Sequence, residues 1–347
     1  MSLQVDIEKT LGSFTLRAAF DSDNDRLGLL GPSGCGKSLT LKCIAGIERP
    51  DRGKIVLNGR TLFDSAAGID LPPQQRRVGY LFQNYALFPN MTVRQNILCG
   101  LHGQPDRAKR EAALAEVLCL LQLEGLEAHR PWQLSGGQAQ RTALARILVS
   151  EPEVLMLDEP FSALDSHLRE KLQLEMRELL LRFGKDTLLV THSRDEAYHM
   201  CSHIAVLDAG RVLTVQPTKQ LFADPGSRRA ALLTGCKNIA DAKKLDDHTC
   251  FVPAWGVQLQ TAKPLRDDLC AVAIRAHYFN QRTTVNACPV QFVGEMEEPF
   301  EVILRFRFAG QPADGPDLWW RVSKDRLPSP LPTALGIAPV NVLPLYE

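Results

Sequence analysis

The sequence lacks any run of about 18 consecutive apolar residues, and its 40 basic residues balance 40 acidic ones. The first absence excludes a membrane-spanning helix within this sequence. The second means that no bulk charge favours nucleic acid or an anionic lipid surface as a partner. A role at a membrane would therefore need a separate protein that spans it.

Paired cysteines are also lacking. The nine cysteines are scattered, and none forms a C-x-x-C pair, which argues against a zinc site and against a disulfide framework. We expect free thiols, as in a reducing cytosol. The 347 residues, of which 45% are apolar and 23% charged, are typical of a soluble globular chain that is long enough for two domains.

What the sequence does contain is a glycine-rich segment between a predicted buried strand and a predicted helix. It matches the phosphate-binding pattern G-x-x-x-x-G-K-[ST] with Gly31, Pro32, Ser33, Gly34, Cys35, Gly36, Lys37 and Ser38. Glycines let backbone N–H groups point at phosphate oxygens, and the helix adds the positive end of its dipole. In such a loop the lysine reaches the β- and γ-phosphates, and the serine hydroxyl ligates Mg²⁺.

Strand and helix signals alternate over the first two thirds of the chain. Short apolar runs such as 154–157 predict central strands, and amphipathic stretches such as 107–123 predict packing helices. The alternation predicts an α/β domain with a largely parallel sheet over residues 1–235. Beyond it, helical periodicity fades and alternating strands follow. We therefore predict a small all-β, barrel-like domain over residues 236–347.

Polar residues follow several of the predicted strands, where parallel sheets carry their catalytic edge. Gln83 ends the predicted strand 76–83, Asp158 and Glu159 follow another strand, and His192 follows a third. We expect these side chains to meet at one edge of the sheet.

A second glycine-containing segment, Leu134-Ser-Gly-Gly-Gln138, precedes a predicted helix over residues 139–149. Ser135 is placed to cap that helix, and the glycines expose N–H groups at its positive end. On its own this segment is equally well read as an ordinary helix start.

Together and in this order, these elements resemble the ATP-binding subunits of ABC transporters. The resemblance covers residues 1 to about 235 and rests on the phosphate loop, Gln83, residues 134–138, Asp158-Glu159, Ser162-Ala-Leu-Asp165 and His192. It implies a P-loop NTPase fold of the ABC-cassette type with a helical subdomain. It also implies that the chain is an enzyme that hydrolyses ATP with Mg²⁺.

The resemblance assigns a role to each matched position. Asp158 would hold Mg²⁺ together with Ser38, directly or through water, and Glu159 would be the general base that acts on the attacking water. Gln83 would touch Mg²⁺ or that water and report occupancy of the site to the transmembrane partner. His192 would hydrogen-bond the γ-phosphate and sense its loss.

The remaining matched residues would act in trans. A single chain has one phosphate loop and one signature segment (residues 134–138), so a working site would need two copies that face each other head to tail. The residues that would contact the nucleotide of the other copy are Ser135, Gly136, Gly137 and Gln138, and Asp165 would belong to the same nucleotide-binding interface. Further implied partners are a transmembrane permease and, indirectly, a substrate-binding protein, with no nucleic acid. The chain would lie peripherally on the cytoplasmic side of the membrane.

Three positions depart from the family pattern. Leu39 replaces a usual threonine, which removes a hydroxyl near the α-phosphate. Leu11 lies where an adenine-stacking aromatic residue is common, with Phe14 as a possible substitute. Ser193 replaces the usual aspartate after the histidine. None of these changes removes a catalytic group.

The choice of transporter rests on shorter matches. Residues 61–65, 68–73 and 76–83 look like those of molybdate and sulfate importer ATPases. Residues 273–279 resemble a segment of the accessory oligonucleotide/oxyanion-binding-like (TOBE/MOP-like) β-domain, although a domain that only dimerises the subunits is equally open.

We therefore expect import of molybdate or sulfate, with iron, polyamine or sugar as the alternative solutes. DNA-repair ATPases carry a long heptad insertion that is missing here, and translation factors of the superfamily carry two cassettes. A non-transport ABC ATPase is thus the less favoured alternative.

Overall fold

A mixed eleven-stranded sheet carries the first part of the chain. The computed structural model describes residues 2–23, 25–162 and 166–346, without the side chains of residues 166–168. The strands of the sheet are β1 (Ser2–Leu11), β2 (Phe14–Asp23), β3 (Arg26–Leu30), β4 (Arg52–Leu57), β5 (Arg60–Asp64), β6 (Ile69–Asp70), β7 (Val78–Leu81), β8 (Val154–Asp158), β9 (Thr187–Thr191), β10 (His203–Asp208) and β11 (Arg211–Pro217). The helices of this part are α1 (Lys37–Ala45), α2 (Val93–Cys99), α3 (Arg107–Leu120), α4 (Gly136–Leu148), α5 (Ser166–Phe183) and α6 (Arg194–Met200).

Only half of this sheet is parallel. The spatial order is β6-β5-β4-β1-β2-β11-β10-β3-β9-β8-β7, in which the run from β10 to β7 is parallel and the run from β6 to β2 is antiparallel. The prediction of a largely parallel sheet is therefore wrong for the antiparallel half. The tight turns at Gly12–Ser13 and Asn58–Gly59 explain the difference, because two-residue connections can join only antiparallel strands.

Several predicted elements have different bounds in the structure. The helix predicted over 107–123 is α3, which ends at Leu120. The strand predicted over 76–83 is only the four residues of β7, because a 3₁₀ turn, Pro73–Gln75, precedes it with Arg76 as its C-cap. The helix predicted over 139–149 begins earlier, at Gly136.

Strands β8 and β9 are buried along their whole length, and for β8 this confirms the central strand predicted from the apolar run 154–157. Their side chains join a core cluster that also contains Leu41 and Ile44 of α1 and Ile55 of β4. This packing fixes α1, and therefore the loop that precedes it, against the centre of the sheet.

Arg76 is fully buried between the C-terminal end of α1 and the start of β7. Its guanidinium donates to the carbonyl oxygens of Cys43 and Ile44 at 2.8 and 2.9 Å and to that of Leu71 at 2.7 Å. It also donates to the Asp70 carboxylate at 2.9 Å. A cation at this end satisfies helix carbonyls that have no partner within the helix and complements the helix dipole.

The rest of the chain forms a second, mostly β unit. Its helices are α7 (Thr218–Ala223) and α8 (Arg228–Leu233), and its strands are β12 (Asn238–Asp241), β13 (Lys243–Lys244), β14 (Thr249–Val252), β15 (Val257–Gln260), β16 (Leu269–Ile274), β17 (Cys288–Glu297), β18 (Glu301–Phe308), β19 (Leu318–Ser323), β20 (Ala334–Leu335) and β21 (Leu343–Tyr346). They form three sheets, ordered β12-β16-β21, β13-β14-β15 and β19-β18-β17-β20. The all-β character predicted for residues 236–347 is confirmed, and the barrel-like, TOBE/MOP-like form stays a prediction.

The two compact units cover residues 1–218 and 219–347. The domain boundary expected between residues 235 and 236 stays a prediction, and α8 falls within the second unit. Within the described residues, no helix combines the length and apolar character that crossing a membrane requires.

We expect Arg76→Met to lower the free energy of unfolding of the first unit by about 3 kcal/mol, because three buried carbonyl oxygens would lose their donor. Urea unfolding followed by circular dichroism measures this change. The control is Arg77→Met, since the side chain of Arg77 is 70% exposed and pairs only at 3.4 Å with Glu153. That variant should change the free energy by less than about 1 kcal/mol. An equal loss in both variants would contradict the role of the buried bonds.

Candidate functional site

The phosphate loop (residues 31–38) connects the central parallel strand β3 to α1. Gly34 and Gly36 adopt positive φ angles of 78° and 105°, which favour glycine. Gly36 is the N-cap of α1 and gives it no side-chain cap. The first N–H groups of this helix therefore have no side-chain partner at its cap, and they form a positive helix end of the kind that suits a phosphate.

Gly31 lies where no side chain fits. A Cβ atom at this position would lie 2.1 Å from the carbonyl oxygen of Leu207 and 2.7 Å from Cys35 Sγ. Cys35 is itself buried, and burial raises the pKa of its thiol. The loop is thus packed tightly onto β10, which explains the glycine in steric terms.

Lys37 turns back over its own loop. Its Nζ donates to the carbonyl oxygens of Gly31 and Pro32 at 2.9 and 2.8 Å, and the residue is 5% exposed. The ammonium group therefore lies inside the curve of the loop, as binding of β- and γ-phosphates requires.

Ser38 and Asp158 meet at the edge of the sheet. The Ser38 hydroxyl donates to Asp158 Oδ1 at 2.7 Å, and the Tyr80 hydroxyl donates to Asp158 Oδ2 at 2.8 Å. Burial, followed by the charge of Asp158, raises the pKa of Tyr80 well above its ordinary value, so this hydroxyl stays protonated. The sequence analysis did not single out Tyr80, because its place in an apolar strand gave no signal of a polar partner.

This pair of oxygen ligands fits Mg²⁺. Magnesium takes one or two carboxylates together with substrate phosphates, and a hydroxyl and a carboxylate lie side by side here. In the part of the chain that the structure describes, no three His, Cys, Asp or Glu side chains form a metal site by themselves. Phosphate oxygens would have to complete the coordination.

Glu159 and His192 lie at the ends of the adjacent parallel strands β8 and β9. His192 Nδ1 is 3.4 Å from Glu159 Oε1, and Glu159 has a positive φ of 45°. The Glu159 carboxylate is mostly buried, with 20% of the side chain exposed, whereas the imidazole is 59% exposed. The structure thus brings together the residues predicted as general base and γ-phosphate sensor.

Gln83, two residues after the end of β7, contacts the same segment. Its Nε2 donates to Ser162 Oγ at 3.2 Å, and Ser162 Oγ donates to the Glu159 carbonyl oxygen at 2.9 Å. This hydrogen bond goes to Ser162 and not to Ser38 or Asp158. The predicted contact of Gln83 with Mg²⁺ stays a prediction.

The signature segment begins α4 with a capping box. Ser135 Oγ accepts from the Gln138 N–H at 3.3 Å, and Gln138 Oε1 accepts from the Ser135 N–H at 2.9 Å. Gly136 and Gly137 form the first turn of the helix. Among the described residues, no hydrogen bond joins residues 134–138 to the phosphate loop. The predicted contact of Asp165 lies outside the described residues.

Two side chains that were not predicted from the sequence donate hydrogen bonds to the loop after Glu159. Gln140 Nε2 on α4 donates to the Pro160 carbonyl oxygen at 3.0 Å, and the Tyr85 hydroxyl donates to the same oxygen at 3.4 Å. Only the three-dimensional fold brings these positions together.

The departures from the family pattern have local explanations in the structure. Leu39 packs against the core cluster of the sheet, so an apolar side chain has a favourable environment there. Ser193 caps α6 by accepting from the Glu196 N–H at 3.3 Å, a bond that an aspartate would also make. Leu11 is 48% exposed, while Phe14 is partly buried beside the loop. The choice of adenine-stacking residue stays a prediction.

Fold and site define a nucleotide-binding cassette of the P-loop class. A family model described as "ABC transporter" matches residues 21–162. A spermidine/putrescine import ATP-binding protein of Clostridioides difficile is 40% identical over 247 residues, which are 70% of each chain. The chain belongs to the ABC transporter family.

The relatives are named for more than one solute. A spermidine/putrescine import ATP-binding protein of Methylococcus capsulatus is 45% identical over 63% of this chain and 56% of its own length. A sulfate/thiosulfate import ATP-binding protein of Chromobacterium violaceum is 41% identical over 69% of this chain and 63% of its own length. The chain thus spans little more than half of the first of these proteins and under two thirds of the second.

A solved structure supports the fold. The ATP-binding cassette MJ0796, in a dimeric post-hydrolysis state with ADP and phosphate, superposes with a TM-score of 0.53 at 28% identity. The match covers 63% of this chain and 99% of that chain. The ABC-cassette fold predicted for the first domain is confirmed.

We expect Gly31→Ala to weaken ATP binding by about tenfold or more, because its Cβ would push the loop away from Leu207 and disturb the phosphate cradle. Equilibrium dialysis with labelled ATP measures the affinity. The control is Gly103→Ala, since an added Cβ there has no neighbour within 4 Å. Unchanged affinity in the Gly31 variant would show that the loop tolerates a side chain.

Proposed function

We propose that this chain is the ATP-hydrolysing subunit of an importer. The observation that carries the proposal is the grouping at one sheet edge of Lys37 in its loop, the hydrogen-bonded pair Ser38–Asp158, and the pair Glu159–His192. Lys37 and its loop bind phosphate. Ser38 and Asp158 offer metal ligands, and Glu159 offers a base beside the hydrogen-bonding imidazole of His192.

Each of these residues has a chemical task in hydrolysis. Lys37 and the N–H groups of α1 bind the phosphates of ATP, and Ser38 and Asp158 hold Mg²⁺, which when bound offsets the charge of the phosphates. Glu159 accepts a proton from the attacking water. The near position of His192 lets it hydrogen-bond an oxygen of the γ-phosphate as that group leaves.

The site needs a second copy of the chain for completion. Residues 135–138 make no described hydrogen bond to the loop of their own chain, and Ser135 and Gly136 are exposed at the positive N-terminal end of α4. In a head-to-tail dimer this end would face the γ-phosphate on the partner's loop. Asp165 would lie at the same interface. The dimeric form of the matched cassette supports this arrangement.

Coupling to transport needs a membrane partner. The relatives are named as import ATP-binding proteins, and no described helix here suits a membrane span. We therefore place the chain on the cytoplasmic side of the membrane, bound to a separate permease and served by a substrate-binding protein. The solute does not enter the catalytic site.

An oxyanion such as sulfate or molybdate is the proposed solute. Residues 61–83 carry this resemblance, and the sulfate/thiosulfate relative supports it. A polyamine is the second candidate, because relatives of similar or higher identity are named for spermidine and putrescine. The two candidates carry opposite charges, so one transport assay can distinguish them.

We expect Glu159→Gln to keep ATP binding but to lower hydrolysis about 10³-fold, because the amide cannot accept the proton of the attacking water. The variant should also accumulate as an ATP-bound dimer. Phosphate release measures turnover, and analytical ultracentrifugation with ATP measures the dimer.

The control for this variant is Glu151→Gln, at the opposite end of β8. Glu151 also has a positive φ, 50°, but its side chain lies on the surface away from the loop. The rate of ATP hydrolysis by Glu151→Gln should match that of the wild type. Hydrolysis by the Glu159 variant near the wild-type rate would refute the assignment of the base.

Transport by the complete complex tests the solute. Proteoliposomes that contain the chain with its permease and binding protein should take up labelled sulfate or molybdate in the presence of ATP, and the complex with Glu159→Gln should not. Uptake of labelled putrescine without uptake of either oxyanion would select the second candidate.

A further inference from the structure

The Asp158 carboxylate has a hydrogen-bond partner outside the phosphate loop. Its two carboxylate oxygens accept from different hydroxyls, Oδ1 from Ser38 at 2.7 Å and Oδ2 from Tyr80 at 2.8 Å. Ser38 begins α1 and would itself bind metal. Tyr80 lies on β7, which pairs with β8 in parallel on the opposite side from β9.

The Tyr80 hydroxyl reaches Asp158 from the core of the protein. Tyr80 is 9% exposed and belongs to the cluster that contains Leu41, Ile44 and Met156. Its ring also packs against Phe82, with centroids 4.4 Å apart. Because the ring is held on several sides, the hydroxyl is fixed in place, and its hydrogen bond does not compete with water.

A carboxylate without such a partner rotates easily. The terminal torsion of aspartate is broad, so donors on both oxygens are needed to select one orientation. Hydrogen bonds to a charged acceptor contribute more than neutral ones, and loss of this one would leave Oδ2 of a residue that is 7% exposed without a donor. Partners of this kind typically change metal affinity by about 10- to 100-fold.

We propose that Tyr80 is a positioning residue that fixes the Asp158 carboxylate in the orientation that holds Mg²⁺. The proposal rests on the proposed function, since it concerns the same metal and nucleotide. It gives the proposed metal ligand, Asp158, a hydrogen-bond partner. That partner, Tyr80, lies behind the sheet edge and touches neither nucleotide nor metal.

The test compares Tyr80→Phe with the wild type in a metal-binding assay that needs no turnover. The full chain, in excess over the non-hydrolysable analogue AMPPNP, is titrated with Mn²⁺, and free Mn²⁺ is measured by electron paramagnetic resonance against the same titration of AMPPNP without protein. We expect the dissociation constant of Mn²⁺ to rise about tenfold. Phenylalanine keeps the ring in the core, so the fold should be retained, as an unfolding curve will check.

Tyr85→Phe is the matched control. Tyr85 is equally buried, but its hydroxyl donates to a backbone carbonyl, that of Pro160, at 3.4 Å. The dissociation constant of Mn²⁺ for Tyr85→Phe should equal that for the wild type. A rise of less than about threefold in Tyr80→Phe, or an equal rise in both variants, overturns the proposal.

Two further measurements separate the proposal from its premise. Binding of AMPPNP in excess EDTA should be the same in wild type and Tyr80→Phe, and a loss there would overturn the proposal by showing a disturbed loop. In hydrolysis assays the half-saturating Mg²⁺ concentration should rise, while kcat at saturating Mg²⁺ stays within about threefold. If the wild type binds no Mn²⁺ with AMPPNP, the proposed function itself fails.

Discussion

A single hydrogen bond, from the Ser38 hydroxyl to the Asp158 carboxylate, joins the phosphate loop to a strand two places away in the sheet. It can form only because β3, β9 and β8 are parallel and end at the same edge. The same arrangement places Glu159 and His192 beside each other. All the chemistry proposed for this chain depends on that shared edge, and the buried runs of β8 and β9 maintain it.

The turn after Glu159 connects this edge to the helical part of the chain. Its Pro160 carbonyl oxygen accepts from Gln140 on α4, the helix that the signature segment begins. Gln83 bonds to Ser162 in the same turn. A shift of α4 or of the residues after β7 would therefore act on the backbone that carries the proposed base. In the proposed assembly, contacts of this kind would let binding of a second copy or of a membrane partner influence hydrolysis.

Sequence patterns predicted the parts of the fold that depend on local chemistry. The phosphate loop, the capping role of Ser135 and the two buried central strands all follow from residue types at fixed spacing. The parallel or antiparallel sense of the other strands was harder to predict, because it depends on which strands pair across the sheet. The missed contacts of Tyr80 and Gln140 have the same origin, since their partners are 78 and 20 residues away along the chain.

The close contact of Gly31 with β10 also limits how this protein can vary. Every single-base change in a glycine codon that replaces the residue with another amino acid introduces a Cβ atom, and no such atom fits beside the Leu207 carbonyl. Heritable adjustment of nucleotide affinity must therefore come from neighbouring positions with room for other side chains. Leu39, which follows the loop in α1 and packs against the core cluster in place of the usual threonine, is a position of this kind.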